Sequence, residues 1–183
     1  MKSNKIGLVV EGLSEKKFFE DYFKKRYPDF RGMKVIPSST AGKCKIQEVK
    51  KVKSKIEDLR DKKCDEIYIL IDLDSKCLKE KYDCVVTLKN DYIAKLKLNK
   101  DKDVKVIVLS SELEAWMLSA WEKSDKKSKE DLKRYFGLKS SQNLEENLIK
   151  KFLSSQQNIN YKNNESLKYF LCKLEILKSP LCK

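Results

Sequence analysis

Four short apolar runs, each followed by a segment with helical periodicity, constrain the fold of this chain more than any other feature. Their continuous apolar character is typical of strands that are buried on both faces of a sheet. The runs are residues 6–10, 33–36, 67–71 and 104–109. Strands that alternate with helices predict an α/β domain: an open, mainly parallel sheet of four strands flanked by helices.

The helical segments show apolar side chains three or four positions apart. The first is predicted to begin at Ser14 as its N-cap and to bury the stripe Phe18, Phe19, Tyr22 and Phe23. Pro37 is expected to stop the second strand after residue 36. Further helices are predicted over residues 46–59, over residues 85–96 and from residue 115 onward.

The chain changes character at about residue 124, because only helical periods occur beyond that point. Three short helices rarely form a stable core alone. We therefore expect residues 1–123 to form the α/β domain, and residues 124–183 to form a small C-terminal helical extension packed on it.

The chain contains no histidine. This excludes a Ser-His-Asp triad, a Cys-His pair and a His-ligated zinc finger, so acid–base or metal chemistry must use carboxylates, lysines, tyrosines or cysteines. The 41 Lys and Arg residues against 28 Asp and Glu residues give a net charge of +13 at pH 7, which favours polyanionic partners.

The six cysteines form no C-x-x-C pair, and their spacings fit no zinc ribbon or knuckle. The apolar run after the N-terminus is too short for a signal peptide, and no stretch approaches the length of a transmembrane helix. These features predict a cytoplasmic protein with reduced thiols and no membrane association.

Acidic residues follow three of the four predicted strands. Glu11 follows the first strand, Asp72 and Asp74 follow the third, and Glu112 and Glu114 follow the fourth. The carboxyl ends of parallel strands gather along one edge of an open sheet, where such proteins bind ligands. The sequence therefore predicts that these carboxylates converge at that edge.

Converging carboxylates repel each other unless cations neutralise them. Mg²⁺ or Mn²⁺, hard ions that prefer oxygen ligands, would do so, and a pair of such ions suits displacement at phosphorus. For any one of these acids alone, a solvated turn or a helix cap is the commoner role. Three acidic strand ends in this order favour the metal site.

Three motifs together resemble the Toprim (topoisomerase–primase) domain, in particular the small stand-alone Toprim proteins related to OLD-family nucleases. They are Val9-Val-Glu-Gly-Leu-Ser-Glu15, Ile69-Leu-Ile-Asp-Leu-Asp74 and Ser111-Glu-Leu-Glu-Ala-Trp-Met-Leu118. The turn Ala41-Gly-Lys43 resembles a Gly-rich turn of the same group. The resemblance covers about residues 5–121.

The resemblance implies a role for each matching acid. Glu11 would be the general acid or base next to the metal, and Asp72 and Asp74 would be metal ligands. Glu114 fits the remaining ligand position best, with Glu112 as an additional ligand. If the helix began before Glu112, the two side chains would point about 200° apart, and only one could bind the ion.

The function that the resemblance implies is Mg²⁺-dependent cleavage of a phosphodiester in DNA or RNA, in a defence or toxin setting. Two alternatives remain open. The first is a module that binds nucleic acid without cutting it. The second is a subunit that acts only with a partner, such as an ATPase supplied in trans.

Residues 43–63 contain nine basic residues and four acidic ones. One interpretation is a solvated helix face, and the other is a surface that follows a phosphate backbone. We predict that Lys43, Lys45 and Lys76 bind nucleic acid, and that Lys43 also assists catalysis by stabilising negative charge on the phosphate.

Two tryptophans, Trp116 and Trp121, lie on the helix predicted after the fourth strand. Aromatic side chains at helical spacing usually pack inward, so both are predicted to lie in the core. Stacking on nucleic-acid bases is the minor alternative.

Overall fold

The computed structural model describes residues 5–37, 49–72, 85–98, 101–109, 112–125, 127–138, 145–177 and 182. Within these ranges lies an open four-stranded parallel sheet with the strand order β2-β1-β3-β4. The strands are β1 (Ile6–Val10), β2 (Lys34–Pro37), β3 (Glu66–Asp72) and β4 (Val104–Leu109). The prediction of an α/β fold with a parallel sheet flanked by helices is confirmed.

The register of the sheet fixes which residues leave it side by side. Val9 in β1 pairs with Ile36 in β2 on one side and with Ile69 in β3 on the other. Leu8, Val9 and Val10 have no exposed surface, as expected for a strand covered on both faces. The carboxyl ends of β1 and β3 are therefore neighbours.

Helices follow the strands in the order that the periodicity predicts. In chain order they are α1 (Leu13–Phe18), α2 (Lys24–Arg26), α3 (Val49–Asp61), α4 (Val85–Leu96), α5 (Leu113–Leu118), α6 (Lys129–Tyr135), α7 (Glu145–Ser154) and α8 (Glu165–Lys173). A π-helical turn, Phe19–Phe23, joins α1 to α2, and 3₁₀ turns occupy Pro28–Phe30 and Tyr161–Asn163.

The start of α1 differs from the prediction. Gly12, in an extended conformation, is the N-cap, and Ser14 lies inside the helix. The reason is a hydrogen bond that the prediction did not consider. In it the N–H of Gly12 donates to the carboxylate of Glu15 at 3.0 Å. This is the backward half of a capping box, and it begins the helix two residues earlier.

The second strand also ends one residue later than predicted. Pro37 is the last residue of β2 and pairs with Val10. Since β2 lies at the edge of the sheet, a residue without an N–H group can end it without breaking a ladder inside the sheet.

Helix α3 packs closely on β1. Its buried side chains are Val52, Ile56 and Leu59. A methyl carbon of Leu59 lies 2.9 Å from the place that a Cβ atom would take at Gly7. The approach of helix to strand therefore depends on the missing side chain at Gly7.

Arg60 joins the end of α3 to the start of β4. Its guanidinium donates two hydrogen bonds to the carboxylate of Asp103, at 3.0 and 3.2 Å, and a third to Glu57 at 2.8 Å. The hydrogen bonds from Arg60 hold the pKa of Asp103 below its usual value. Asp103 in turn accepts a hydrogen bond on its main-chain oxygen from the N–H of Ile67 in β3, at 2.7 Å.

The described residues divide into two compact units. The first contains those up to Ile71 and those from Val85 to Val108. The second contains Asp72 and those from Leu109 onward. The core of the second unit is helical, and in it the fully buried ring of Trp116 packs against Phe170 at a centroid distance of 5.0 Å.

The expectation of reduced thiols throughout is wrong for one pair of cysteines. Cys172 and Cys182 form a disulfide whose Cα atoms are 5.5 Å apart. The sequence could not indicate this pairing, because spacing along the chain does not tell which cysteines meet. Cys64 is a buried free thiol, and burial raises its pKa.

None of the helices in the described ranges combines the length and the apolar composition needed to cross a bilayer.

We expect Gly7→Ala to destabilise the protein by about 1–3 kcal/mol, because the new methyl group must displace the buried Leu59 side chain. The measurement is the free energy of unfolding in urea. Gly32→Ala is the matched control, since a Cβ atom there would meet nothing within 4 Å. Equal stability of the two variants would contradict the close packing of α3 on β1.

We expect Asp103→Asn to cost about 1 kcal/mol at neutral pH, since the side chains of Arg60 and Asp103 are each about one-third exposed. The pKa of Asp103 is lowered in the folded state, so its stabilisation is present above the unfolded pKa of about 4. It is lost as the pH falls through the lower folded pKa. The stability difference between wild type and variant, measured by urea unfolding from pH 7 to pH 2, should therefore shrink below about pH 4. A difference independent of pH would contradict this.

Candidate metal centre

Three carboxylates come together at the carboxyl ends of β1 and β3. They belong to Glu11, which directly follows β1, to Glu15 in the first turn of α1, and to Asp72, the last residue of β3. One oxygen atom from each of the three lies within 4.8 Å of the others. All three side chains are half-buried.

The sheet and one helix cap place these side chains. Because Val9 pairs with Ile69 in parallel register, Glu11 and Asp72 leave the sheet at the same end. Glu15 is turned back toward this end by the hydrogen bond from the N–H of Gly12. A Cβ atom at Gly12 would lie 3.1 Å from a carboxylate oxygen of Glu15, so the glycine leaves room for that carboxylate.

The donor set fits a hard divalent cation. Three carboxylate oxygens are ligands that Mg²⁺ and Mn²⁺ accept. With Mg–O distances of about 2.1 Å, oxygens on opposite sides of an octahedral ion are about 4.2 Å apart. Oxygens within 4.8 Å of one another therefore need only small side-chain movements to share one ion.

Tyr92 in α4 lies within electrostatic range of Glu11. Burial raises the pKa of the Tyr92 phenol, and the negative charge of Glu11 raises it further. The phenol therefore stays protonated at neutral pH. The sequence pattern indicated Tyr92 only as part of an apolar helix face, which gives no sign of a charge beside it.

The structure brings together two of the residues that the sequence predicts for the site. Glu11 and Asp72 are brought together as predicted. Glu15 was not predicted as a site residue; its signal was its position three residues after the glycine cap, where a glutamate turns back to the helix start. Asp74, Lys43, Lys45 and Lys76 lie outside the described residues.

Glu112 and Glu114 are not members of the group of three, and both contact Lys129. Glu112 is the N-cap of α5, so the helix begins after this residue. The helix therefore does not force the side chains of Glu112 and Glu114 to point apart. Its carboxylate accepts a hydrogen bond from the main-chain N–H of Lys129 at 2.8 Å. The ammonium of Lys129 lies 3.8 Å from Glu114, with side-chain exposures of 21% and 15%.

The basic face of α3 is neutralised in part. Lys55 pairs with Asp58 at 3.2 Å, and Arg60 pairs with Glu57, Asp101 and Asp103. Lys50 and Lys51 at the start of the helix are exposed, as are Lys62 and Lys63 just beyond its end. Both interpretations of this segment, the solvated face and the phosphate-binding surface, remain predictions.

The protein therefore has an α/β fold with a candidate metal centre at the carboxyl ends of its strands. A family model described as "Domain of unknown function (DUF4276)" matches residues 10–171, and the chain belongs to this family. No curated protein and no solved structure matches the chain.

We expect Mg²⁺ or Mn²⁺ to raise the melting temperature of the wild type. An ion at a hundred times its dissociation constant would contribute about 2.7 kcal/mol. Glu15→Gln and Asp72→Asn should lose most of this gain, because each removes one charged ligand.

The measurement is thermal unfolding with and without the ion, together with titration calorimetry. The matched control is Glu20→Gln, which changes an acid of the π-helical turn beyond α1 that pairs with Lys24 at 3.8 Å. If Glu20→Gln lost as much metal stabilisation as Glu15→Gln, the ion would not be bound by the group of three.

Proposed function

We propose that the chain is a divalent-metal-dependent phosphodiesterase, a nuclease that acts on DNA or RNA. The observation that carries this proposal is the group of Glu11, Glu15 and Asp72, whose carboxylate oxygens lie within 4.8 Å of one another. When bound, Mg²⁺ or Mn²⁺ would polarise a phosphoryl oxygen and lower the pKa of a water molecule.

Each residue of the group has a proposed role. Asp72 and Glu15 would bind the ion. Glu11 would accept, at a carboxylate oxygen, the proton of the water that attacks phosphorus, as the bond from phosphorus to the leaving ester oxygen breaks. The buried phenol of Tyr92 stays protonated and so adds no negative charge beside Glu11.

The charge of the chain supports a polyanionic substrate. A net charge of +13 attracts a phosphate backbone, while the three clustered acids would repel it unless an ion were bound between them. Metal dependence and nucleic-acid binding are thus parts of the same proposal. The predicted roles of Lys43, Lys45 and Lys76 in contacting phosphates belong to it, as does a setting in defence.

A second candidate is a nucleic-acid-binding module that does not cut and acts through a partner. The contact of Lys129 with both Glu112 and Glu114 favours it. Lys129 binds Glu112 through its main-chain N–H and pairs with Glu114 through its ammonium, which leaves fewer acids for a second ion. Two-metal sites are a common arrangement for displacement at phosphorus.

The test is cleavage of single- and double-stranded DNA and RNA oligonucleotides in Mg²⁺ or Mn²⁺. We expect Glu11→Gln and Asp72→Asn to reduce the cleavage rate at least about 100-fold, the usual contribution of a general base or more. EDTA should abolish cleavage. The matched control, Glu20→Gln, should cut like the wild type.

Two results separate the candidates. Cleavage that survives both Glu11→Gln and Asp72→Asn would overturn the assignment of the site. Salt-sensitive nucleic-acid binding without cleavage, unchanged by EDTA and by Asp72→Asn, would favour the binding module instead.

A further inference from the structure

An aromatic cluster joins the segment after α5 to the end of α6 in the second unit. The ring of Trp121 lies 4.7 Å from that of Tyr135 and 5.8 Å from that of Phe136, measured between centroids. Phe152 of α7, which has no exposed surface, meets Trp121 edge to face at 6.0 Å. We call Trp121, Tyr135 and Phe136 the aromatic platform.

The three rings of the platform are partly exposed to solvent, whereas the second tryptophan of the chain, Trp116, is buried. Tyr135 is 49% exposed, and Trp121 and Phe136 are half-buried. Trp116 has no exposed surface, so the prediction that it lies in the core is confirmed. The same prediction is wrong for Trp121, because α5 ends at Leu118 and its helical face does not continue to residue 121.

Two cations lie beside the platform. Arg134 precedes Tyr135 in α6, and its side chain is 82% exposed. The exposed Lys151 of α7 donates a hydrogen bond to the main-chain oxygen of Phe136 at 3.1 Å. Among the acids of this helix, Asp131 accepts hydrogen bonds from Ser128 and pairs with Arg134 at 3.5 Å, and Glu130 pairs with Lys133.

Exposed rings next to cations suit one class of ligand better than others. A flat ring stacks on an exposed aromatic side chain, and a phosphate pairs with a neighbouring cation. Single-stranded nucleic acid offers both groups on each nucleotide. In a duplex the bases are already stacked on each other, so a duplex cannot use the rings.

We propose that the aromatic platform binds unpaired bases of single-stranded nucleic acid, with Arg134 and Lys151 contacting the backbone phosphates. This inference rests on the proposed function only for the class of ligand. It requires neither cleavage nor a metal ion. Binding measured in EDTA therefore tests it even if the chain proves to cut nothing.

The experiment is fluorescence anisotropy of labelled single-stranded DNA and RNA of about 12 nucleotides, within the usual size of such sites, in EDTA. We expect Tyr135→Leu to weaken binding about tenfold, because it keeps an apolar side chain but removes the stacking surface. Tyr135→Phe keeps the ring and should bind like the wild type. Melting temperatures of both variants show whether the second unit remains folded.

A matched control comes from α8, where Tyr169 is 38% exposed and Lys173 lies 5.1 Å from the centre of its ring. Tyr169→Leu removes another exposed ring next to a lysine and should leave binding unchanged. Tryptophan fluorescence is a second readout. Bound bases should quench Trp121, and the quenching should vanish in Trp121→Phe, whereas the buried Trp116 is out of reach.

The contribution of the two cations is tested separately, by the salt dependence of the affinity. Arg134→Gln and Lys151→Gln should each reduce the slope of log affinity against log salt concentration by about 0.7, the value for one phosphate contact on a single strand.

Three results would overturn the inference. The first is that folded Tyr135→Leu binds as tightly as Tyr135→Phe. The second is that Tyr169→Leu weakens binding as much as Tyr135→Leu. The third is that a duplex of the same length binds as tightly as the single strand with the same dependence on Tyr135, which would exclude stacking on unpaired bases.

Discussion

The pairing of β1 with β3 is the constraint on which the rest of the candidate site depends. The middle of each strand is apolar and covered on both faces, and the two strands pair in parallel with Val9 opposite Ile69. A slip of one residue would turn every side chain to the other face of the sheet. The pairing of the apolar residues therefore sets the positions of the polar residues that follow them. Glu11 lies near Asp72 because Val9 pairs with Ile69.

Carboxylates that lie this close repel each other. Different contacts offset this repulsion at two places in the chain. At the strand ends, Glu15 is tied to the N–H of Gly12, which offsets part of its charge at the positive end of α1. In the second unit, Glu112 and Glu114 share Lys129, which supplies a main-chain N–H to one and an ammonium to the other. In the first arrangement three carboxylate oxygens lie within 4.8 Å of one another, a spacing that one divalent ion could bridge.

Much of the fold can be predicted from the sequence, because its decisive signals are local. Buried strands and amphipathic helices are visible as periods of apolar side chains, and their alternation indicates a parallel sheet. The acids at two strand ends could be predicted for the same reason. Glu15 had a local signal in its position three residues after Gly12, although that signal does not place it beside Asp72. Tyr92 and the contact of Lys129 with two glutamates could not be predicted, because each depends on a partner far along the chain. The disulfide between Cys172 and Cys182 belongs with these, since the cysteine spacing alone allowed several pairings.

The two tryptophans show where periodicity stops being informative. Both occur in one predicted helix, and their types and spacing are equally consistent with burial. Only the point at which α5 ends separates them, since Trp116 lies inside the helix and Trp121 lies three residues beyond it. The ring of Trp121, outside the helix, packs against side chains of the following helices, namely Tyr135 and Phe152. Of these two, Tyr135 remains half exposed. Exposure of this kind is set by helix boundaries, which are the least predictable feature of a sequence. An aromatic residue just past a helix end is therefore a better candidate for ligand binding than its spacing suggests.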